Sequence, residues 1–475
     1  MFNKKFKTTS MRRITTKSVI PFAVLIVLAL AAAFISPESD YVPGVKEPQY
    51  SASDIAWVLI STALVFLMTP GLAFFYGGMV NRKNVISTMI KSVVAAGIVG
   101  VLWIVVGFSL SFGDSLGGFI GDPRTFLFFQ GVKGHAAWPL ANTIPLTLFA
   151  LFQLMFAVIT PGLVVGAVAE RIRFTSYVVF ILLFSLLVYA PVAHWSWHPE
   201  GFLAKMGAWD FAGGTVVHIT AGCAALAGAL VLKRRKSHQE RAEIPPANVP
   251  YVLIGTGLLW FGWFGFNAGS AVGASPLAVN AFGTTSTAAS AAGLAWMFFD
   301  VLKGKKPSVL GFCIGAVVGL VAITPAAGYV GIPQSIIIGT VGAIISNIAV
   351  SIKQKSRLDD TLDVFPCHGI GGMVGMLMTG VFASQVVHGI PEGPNGWAYG
   401  NFPFFLTQLK AMLIVVVYSF TVSFLIFKFI NFILPIRVSA ADEEEGLDAS
   451  QHDEKYLQGT LLVKNGGNFE EKENV

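Results

Sequence analysis

Eleven apolar runs, each long enough to cross the hydrocarbon core of a bilayer, succeed one another between residues 54 and 434. A membrane-spanning helix needs about 20 predominantly apolar residues. The runs lie at 54–80, 84–112, 142–168, 173–195, 211–232, 250–272, 280–302, 308–326, 333–352, 364–386 and 404–434. Soluble folds are excluded by the same residues, because a chain with 54% hydrophobic and 12% charged residues has too few polar side chains for a water-facing surface. The chain reads as an all-α integral membrane protein of eleven transmembrane helices. Its many glycines suit close helix approach where no hydrophobic effect drives helices together. Pro70, Pro161 and Pro191 fall inside the first, third and fourth runs, where breaks are tolerated only if protein or a cavity satisfies the freed backbone.

Loop charges orient the runs. The loops after the odd-numbered runs carry Arg82 and Lys83, Arg171 and Arg173, the cluster Lys233, Arg234, Arg235, Lys236 and Arg241, then Lys303, Lys305 and Lys306, and Lys353, Lys355 and Arg357. The alternate loops hold only Arg124, Lys133 and Lys205. The positive-inside rule therefore places the start of the first run outside and the C-terminus in the cytoplasm of a multi-pass cell-membrane protein. The basic balance belongs to these loops and not to a nucleic-acid surface.

Residues 1–37 combine Lys4, Lys5, Lys7, Arg12, Arg13 and Lys17 with an apolar core at 19–35 and the run Ala31-Ala32-Ala33. This is the plan of a cleavable signal peptide, with an uncleaved extra helix as the alternative. The transmembrane domain spans 51–434. From 435 to 475 a tail follows, its first part acidic with Asp442, Glu443, Glu444, Glu445, Asp448, Asp453 and Glu454. A solvated tail is the plain reading of such a composition.

Two stretches share an unusual spacing. Asp210-Phe-Ala-Gly-Gly-Thr-Val-Val-His218 opens the fifth run, and Asp360-Thr-Leu-Asp-Val-Phe-Pro-Cys-His368 opens the tenth. Ionisable side chains within a span are costly and mark functional positions. Eight helical residues cover about 12 Å, which would leave each acid near a membrane boundary and carry its histidine well inside. Five runs on either side of the 233–249 loop suggest two inverted repeats plus one extra helix, with a central pore and the histidines meeting at the repeat interface. Two neutral histidines on facing helices offer a donor and an acceptor to a small polar species.

Metal binding is the rival use. Neither histidine has a third ligand at a metal-binding spacing, and Cys223, Cys313 and Cys367 sit singly in apolar runs. No metal or other cofactor is expected. A second constellation gathers aromatic residues at the outer ends: Phe152 and Phe156 on one face, Trp197 past the end of the next run, and Phe266 four residues before Ser270. Interfacial aromatic belts are the common structural use of such residues.

Four blocks carry a family resemblance: Met68-Thr-Pro-Gly-Leu-Ala-Phe-Phe-Tyr-Gly-Gly78, the stretch Asp210 to His218, Trp263-Phe-Gly-Phe-Asn-Ala-Gly-Ser270, and Asp363-Val-Phe-Pro-Cys-His-Gly369. Together they resemble the signatures of the ammonium transporter (Amt/Mep/Rh) family, in its Amt/Mep branch, over about residues 51–455. The resemblance implies a homotrimer with one pore per protomer. It makes Trp197, Phe152 and Ser270, with Asp210 nearby, an outer ammonium-recruitment site. It makes Phe156 and Phe266 a stacked phenyl gate, and His218 and His368 a twin-histidine pair. Tyr189, Trp263, Asp360 and Asp363 fall at supporting positions. The loop from Trp195 to Glu200 departs from the family pattern by one residue. Glu445-Gly446-Leu447-Asp448 matches a C-terminal region that packs on a neighbouring protomer and can meet a trimeric PII signalling protein. Residues 435–448 are then expected to be ordered and those beyond about 450 flexible.

Ammonium resembles K⁺ in charge and size, so selection must use its N–H donors or its acidity. Aromatic faces attract the cation by about 0.5–2 kcal/mol each, whereas drying a small ion costs on the order of 20 kcal/mol in an idealised estimate. No Thr-Val-Gly-Tyr-Gly filter is present. The expected mechanism is deprotonation at the mouth, passage of ammonia between the gate and the histidines, and return of the proton by a separate route. Methylammonium is an expected second substrate. Three readings compete: a passive ammonia or CO₂ channel of Rh type, an ammonium sensor, and a membrane metalloenzyme.

Overall fold

The computed structural model describes residues 16–36, 50–456, 460–465 and 468–473. Residues 1–45 and 46–475 form separate units. Of the first unit, the apolar segment is a helix, α1 (Thr16–Ala33), with Pro21 inside it. Of the basic residues expected to open a signal peptide, Lys4, Lys5, Lys7, Arg12 and Arg13 lie outside the described residues, and Lys17 falls in the first turn of α1.

Among the described residues, nine helices of the second unit are long and apolar enough to span: α2 (Ala52–Met79), α3 (Arg82–Phe112), α4 (Leu146–Val168), α5 (Phe174–Lys205), α6 (Gly214–Leu232), α7 (Val249–Ala271), α10 (Ile332–Lys355), α11 (Phe365–Phe382) and α12 (Phe402–Ile433). Two more, α8 (Pro276–Leu302) and α9 (Val309–Ile323), occupy the seventh and eighth expected runs and pack between α7 and α10. The helical set is therefore consistent with eleven spans. The eighth helix is only 15 residues long, because it ends at Ile323 before Pro325 instead of running to residue 326.

Starts are dictated by caps. Ser51, Asn248, Ser275, Ser308 and Asn401 each accept a backbone N–H from three residues on, replacing a bond that the first helical turn cannot make. Prolines stand in the first turn of α7, α8, α10 and α12, where no N–H is needed. Mid-helix prolines find local remedies. Pro191 follows a π-helical turn at Ser185–Tyr189, and the carbonyl of Leu187 that it leaves unpaired accepts the Tyr418 hydroxyl at 2.7 Å. Such repair by a neighbouring helix is what makes a break tolerable in lipid.

Burial separates inner from outer helices. The most apolar windows of α4 and α6 are 89% and 83% buried, against 33% for α3 and α12. The inner helices therefore meet protein on nearly all sides. Strands β1 (Ser115–Leu116) and β2 (Ile120–Gly121) pair antiparallel in the loop between α3 and α4.

A cluster of charges ties together the loops expected to face the cytoplasm. Arg235 bridges Glu170 at 2.6 Å and Asp359 at 2.8 Å, and Arg171 donates to the Asp359 carbonyl and to Thr361. Burial opposes ionisation of Asp359, but hydrogen bonds and charge from Arg235, together with Arg171, hold its carboxyl well below the usual range. The two halves of the chain are joined by this network.

The tail after α12 is folded onto the same face. It forms α13 (Ala440–Glu445), opened by a capping box between Ser439 and Asp442, and α14 (Leu447–His452). Asp448 accepts from Ile86 N at 3.1 Å and Ser87 N at 2.7 Å, so the tail caps the start of α3. Leu447 N donates to Asn84, and Lys83 Nζ to the Glu444 carbonyl. Past residue 450 the Tyr456 hydroxyl accepts from Asn248, and strands β3 (Thr460–Asn465) and β4 (Asn468–Glu473) pair antiparallel. The acidic side chains find donors on the chain's own loops, which is why composition alone suggested more freedom than is found.

Candidate functional site

The fifth and tenth spans do not begin as regular α-helices. Each opens with a π-helical turn, Gly214–Ile219 and Phe365–Ile370, so the eight residues from acid to histidine are not a straight run of α-helix. Wide turns of this kind are frequent at functional sites. Asp210 caps the first. Its Oδ1 accepts from Gly213 N at 2.8 Å and Gly214 N at 2.7 Å, while its Oδ2 accepts from Thr215 N at 2.7 Å and from the Thr215 hydroxyl. Asp360 caps the second, accepting from Val364 N at 3.0 Å and Phe365 N at 2.7 Å. The matched acids thus do matched work: they satisfy the donors that open a buried helix.

The helices carrying the histidines cross at glycine. A Cβ on Gly222 would overlap the backbone of Gly369, so position 222 must lack a side chain for α6 and α11 to touch there. That contact lies one turn beyond His218 and immediately after His368. It brings the two rings to 5.4 Å between centroids, with Nδ1 facing Nδ1 at 3.4 Å. Like atoms at that distance form a hydrogen bond only if one carries the proton and the other accepts it. His218 Nε2 is buried with no partner, an orphaned polar atom of the sort that a small ligand or water would satisfy.

Above the pair the aromatic residues stack in series. Trp263 lies 5.3 Å from the His218 ring and donates through Nε1 to Thr324. Phe266 stands 5.9 Å from His218 and 4.4 Å from Phe156. Phe156 in turn contacts Phe152 at 5.0 Å and Trp197 at 5.7 Å, both edge-on. Trp197, despite the irregular loop around it, therefore stands against the ring expected below it, and its Nε1 donates to the Asp210 carbonyl at 3.1 Å. Ser270 is less tightly joined to this group. Its hydroxyl donates to Phe266 O at 2.8 Å, and the adjacent Gly269 packs on Phe152.

His218, His368, Trp263 and Phe266 line a narrow cavity with Met68, Leu72 and Val317. The space open to water-sized molecules is about 10 Å³, the room of roughly one water. Apart from the histidines and the indole its walls are apolar. Below His368 the lumen widens to about 280 Å³, bounded by Phe75, Tyr76, Leu362, Asp363 and Cys367 among others.

Most of the expected residues are brought together, with differences of role. Asp210 sits beneath Trp197 but spends its carboxylate on backbone donors. Tyr189 packs on Trp103 at 6.4 Å, away from the histidine cavity. Asp363 lines the inner lumen beside Lys353, with Nζ and Oδ1 2.7 Å apart. Burial raises the Asp363 carboxyl above its ordinary range against the pull of Lys353. Lys353 was not singled out from sequence, because it resembles any cation of a cytoplasmic loop. Thr324 was likewise missed, as one hydroxyl in an apolar run.

Comparison with known proteins shows what the chain is similar to. The Ammonium Transporter Family model matches residues 56–456. An ammonium transporter of Aquifex aeolicus is 45% identical over 412 residues, covering 86% of this chain and 94% of its own. The ammonium transporter Amt1 of Archaeoglobus fulgidus is 43% identical, with 85% of this chain and 99% of its own covered. The crystal structure of Candida albicans Mep2 superposes with a TM-score of 0.78 at 38% identity, covering 83% of this chain and 88% of that one.

Proposed function

The chain belongs to the Ammonium Transporter Family, and from that premise we propose that it carries ammonium across a cell membrane by taking the ion apart. Ammonium is collected against Trp197, Phe152 and Ser270, where aromatic faces stabilise a cation by about 0.5–2 kcal/mol each. It loses its proton at the mouth. Ammonia then passes between Phe156 and Phe266 and meets the histidine pair, while the proton crosses separately through the polar groups of the pore.

One observation carries this reading: two imidazoles with a single donor-acceptor relation face each other in an otherwise apolar lumen as wide as one water. Such a lumen is hostile to an ion, since desolvation costs several kcal/mol even after relaxation, and hospitable to a small neutral molecule that can donate and accept. K⁺ has no proton to surrender and is left outside. Around this core, the apolar N-terminal segment serves as a signal peptide, the protomers assemble as homotrimers, and the cytoplasmic tail is the regulated element, open to a PII-type partner.

The test is electrical. Proteoliposomes containing the protein should show a saturable inward current with ammonium and methylammonium and none with K⁺. Ammonia flux without current would favour a passive gas channel instead.

A further inference from the structure

The two Asp-x7-His stretches share their acid and their histidine, and one of the differences between them is not required by the fold. Three residues after Asp210 stands Gly213, with φ +113°, and three residues after Asp360 stands Asp363, with φ +58°. Left-handed backbone suits glycine, which has no Cβ to crowd the following carbonyl. The inner half keeps a side chain where the outer half does without one, and that side chain is a carboxylate.

Asp363 is not a cap, because Asp360 already takes the N–H groups of Val364 and Phe365. Its Oδ1 pairs with Lys353 Nζ at 2.7 Å, and the same ammonium also donates to the Asp360 carbonyl at 2.7 Å. On its other side Asp363 shares the inner lumen with His368 and Cys367. Lys353 and Arg235 favour its ionised form, while burial opposes it and Asp360 stands close by as a second acid. The outer half has no equivalent acid.

We propose that Asp363, held beside Lys353, is the group through which the proton that left ammonium outside is returned to ammonia on the inner side. The proposal rests on the deprotonation reading above. A proton on His368 passes, by way of water in the inner lumen, to the Asp363 carboxylate, leaving a neutral imidazole. The lone pair of arriving ammonia then takes that proton. An N–H bond forms as the carboxyl O–H bond breaks, ammonium leaves, and the carboxylate is restored. A carboxylate at position 363, where the outer stretch has Gly213, also gives the two mouths of the pore different chemistry.

The experiment uses the full chain in proteoliposomes and compares wild type with Asp363→Gly, Asp363→Asn and Asp363→Glu. Ammonium-driven current is recorded at several lumenal pH values, and a lumenal dye follows alkalinisation by neutral ammonia. Asp363→Gly restores the residue found at Gly213 and relieves the backbone. Asp363→Gly and Asp363→Asn should lose about a hundred-fold of the current, the lower end of what a positioned acid or base contributes. Their current should also lose its dependence on lumenal pH while ammonia still alkalinises the lumen, and Asp363→Glu should retain current. Full current with wild-type pH dependence in Asp363→Gly would overturn the proposal, since a residue that only anchors the loop to Lys353 would behave so. Should the glycine variant not assemble, Asp363→Asn and Lys353→Gln carry the test, and full current in either is contrary. Absence of ammonium-driven current in the wild type would overturn the deprotonation reading itself.

Discussion

His218 Nδ1 and His368 Nδ1 face each other at 3.4 Å across 150 positions of sequence. Because the facing atoms are alike, the neutral pair holds one proton between them: the ring that carries it there has a bare Nε2, and the other ring carries its own proton on Nε2. A site of this kind can donate to or accept from one small molecule without gaining charge. Replacing both histidines by leucine should abolish ammonium-driven current and leave a dry lumen. Replacing one by glutamate should admit K⁺. Uptake of labelled methylammonium and K⁺ competition check both variants, and a double-leucine protein with wild-type uptake would contradict the role given to the pair.

Phe156 and Phe266, the proposed gate above the histidines, stand 4.4 Å apart between ring centroids. Phe266→Ala should widen this passage and weaken the barrier to hydrated ions. The expected result is a measurable K⁺ leak in flux assays together with a loss of stability of about 3–5 kcal/mol, the range for truncating a buried phenylalanine.

Asp210 offers a test that separates structure from charge. Its carboxylate satisfies Gly213, Gly214 and Thr215, and loss of a helix cap costs about 0.5–2 kcal/mol before any penalty for stranded buried donors. Asp210→Ala should therefore lower the thermal midpoint in detergent and abolish transport, while Asp210→Asn should recover part of the stability. Equal midpoints for the alanine variant and wild type would remove the capping argument.

The spans and the pairing of the histidines were legible because both depend on properties that a single sequence displays: apolar length, and an acid eight residues before a histidine in two places. What was not legible depends on backbone conformation and on partners distant in the chain. Nothing in Gly214 to Ile219 announces a π turn, since the feature arises from the cap at Asp210 and the crossing at Gly222 and Gly369. The ordering of the tail was hidden for a related reason. Acidic residues read as solvated until Asn84, Ile86 and Ser87 are seen to supply the donors that Leu447 and Asp448 need to dock.

The docked tail should respond to pH. His452 packs edge-on against Phe174 at 5.2 Å, and burial, with Lys91 nearby, holds its imidazole down to about 4. A released tail would titrate near the ordinary value of about 6.5, so it binds more protons than the docked tail between these values, and docking strengthens as pH rises through that window. Acidification from neutral pH should expose the tail to protease, and His452→Gln should reduce that change. The buried carboxyl of Asp448, raised by burial, contributes its own pH dependence equally to both proteins and cancels in the comparison.

Removing the chain after Leu434 takes away the cap on α3 and the contacts of Arg437 and Glu443 while leaving the spanning helices complete. Insertion should persist and ammonium current should fall. An unchanged current together with unchanged capture of a PII-type protein would show that the tail is not the regulated element.

The central claim is that ammonium is taken apart and its proton crosses with it. It is tested most directly by recording current from the reconstituted wild-type protein under opposed gradients of ammonium and K⁺, with lumenal pH followed in the same vesicles. The account predicts a saturable inward current that appears with ammonium, is absent with K⁺ alone, and disappears when His218 and His368 are both leucine. Lumenal alkalinisation by ammonia with no accompanying current in the wild type would contradict it.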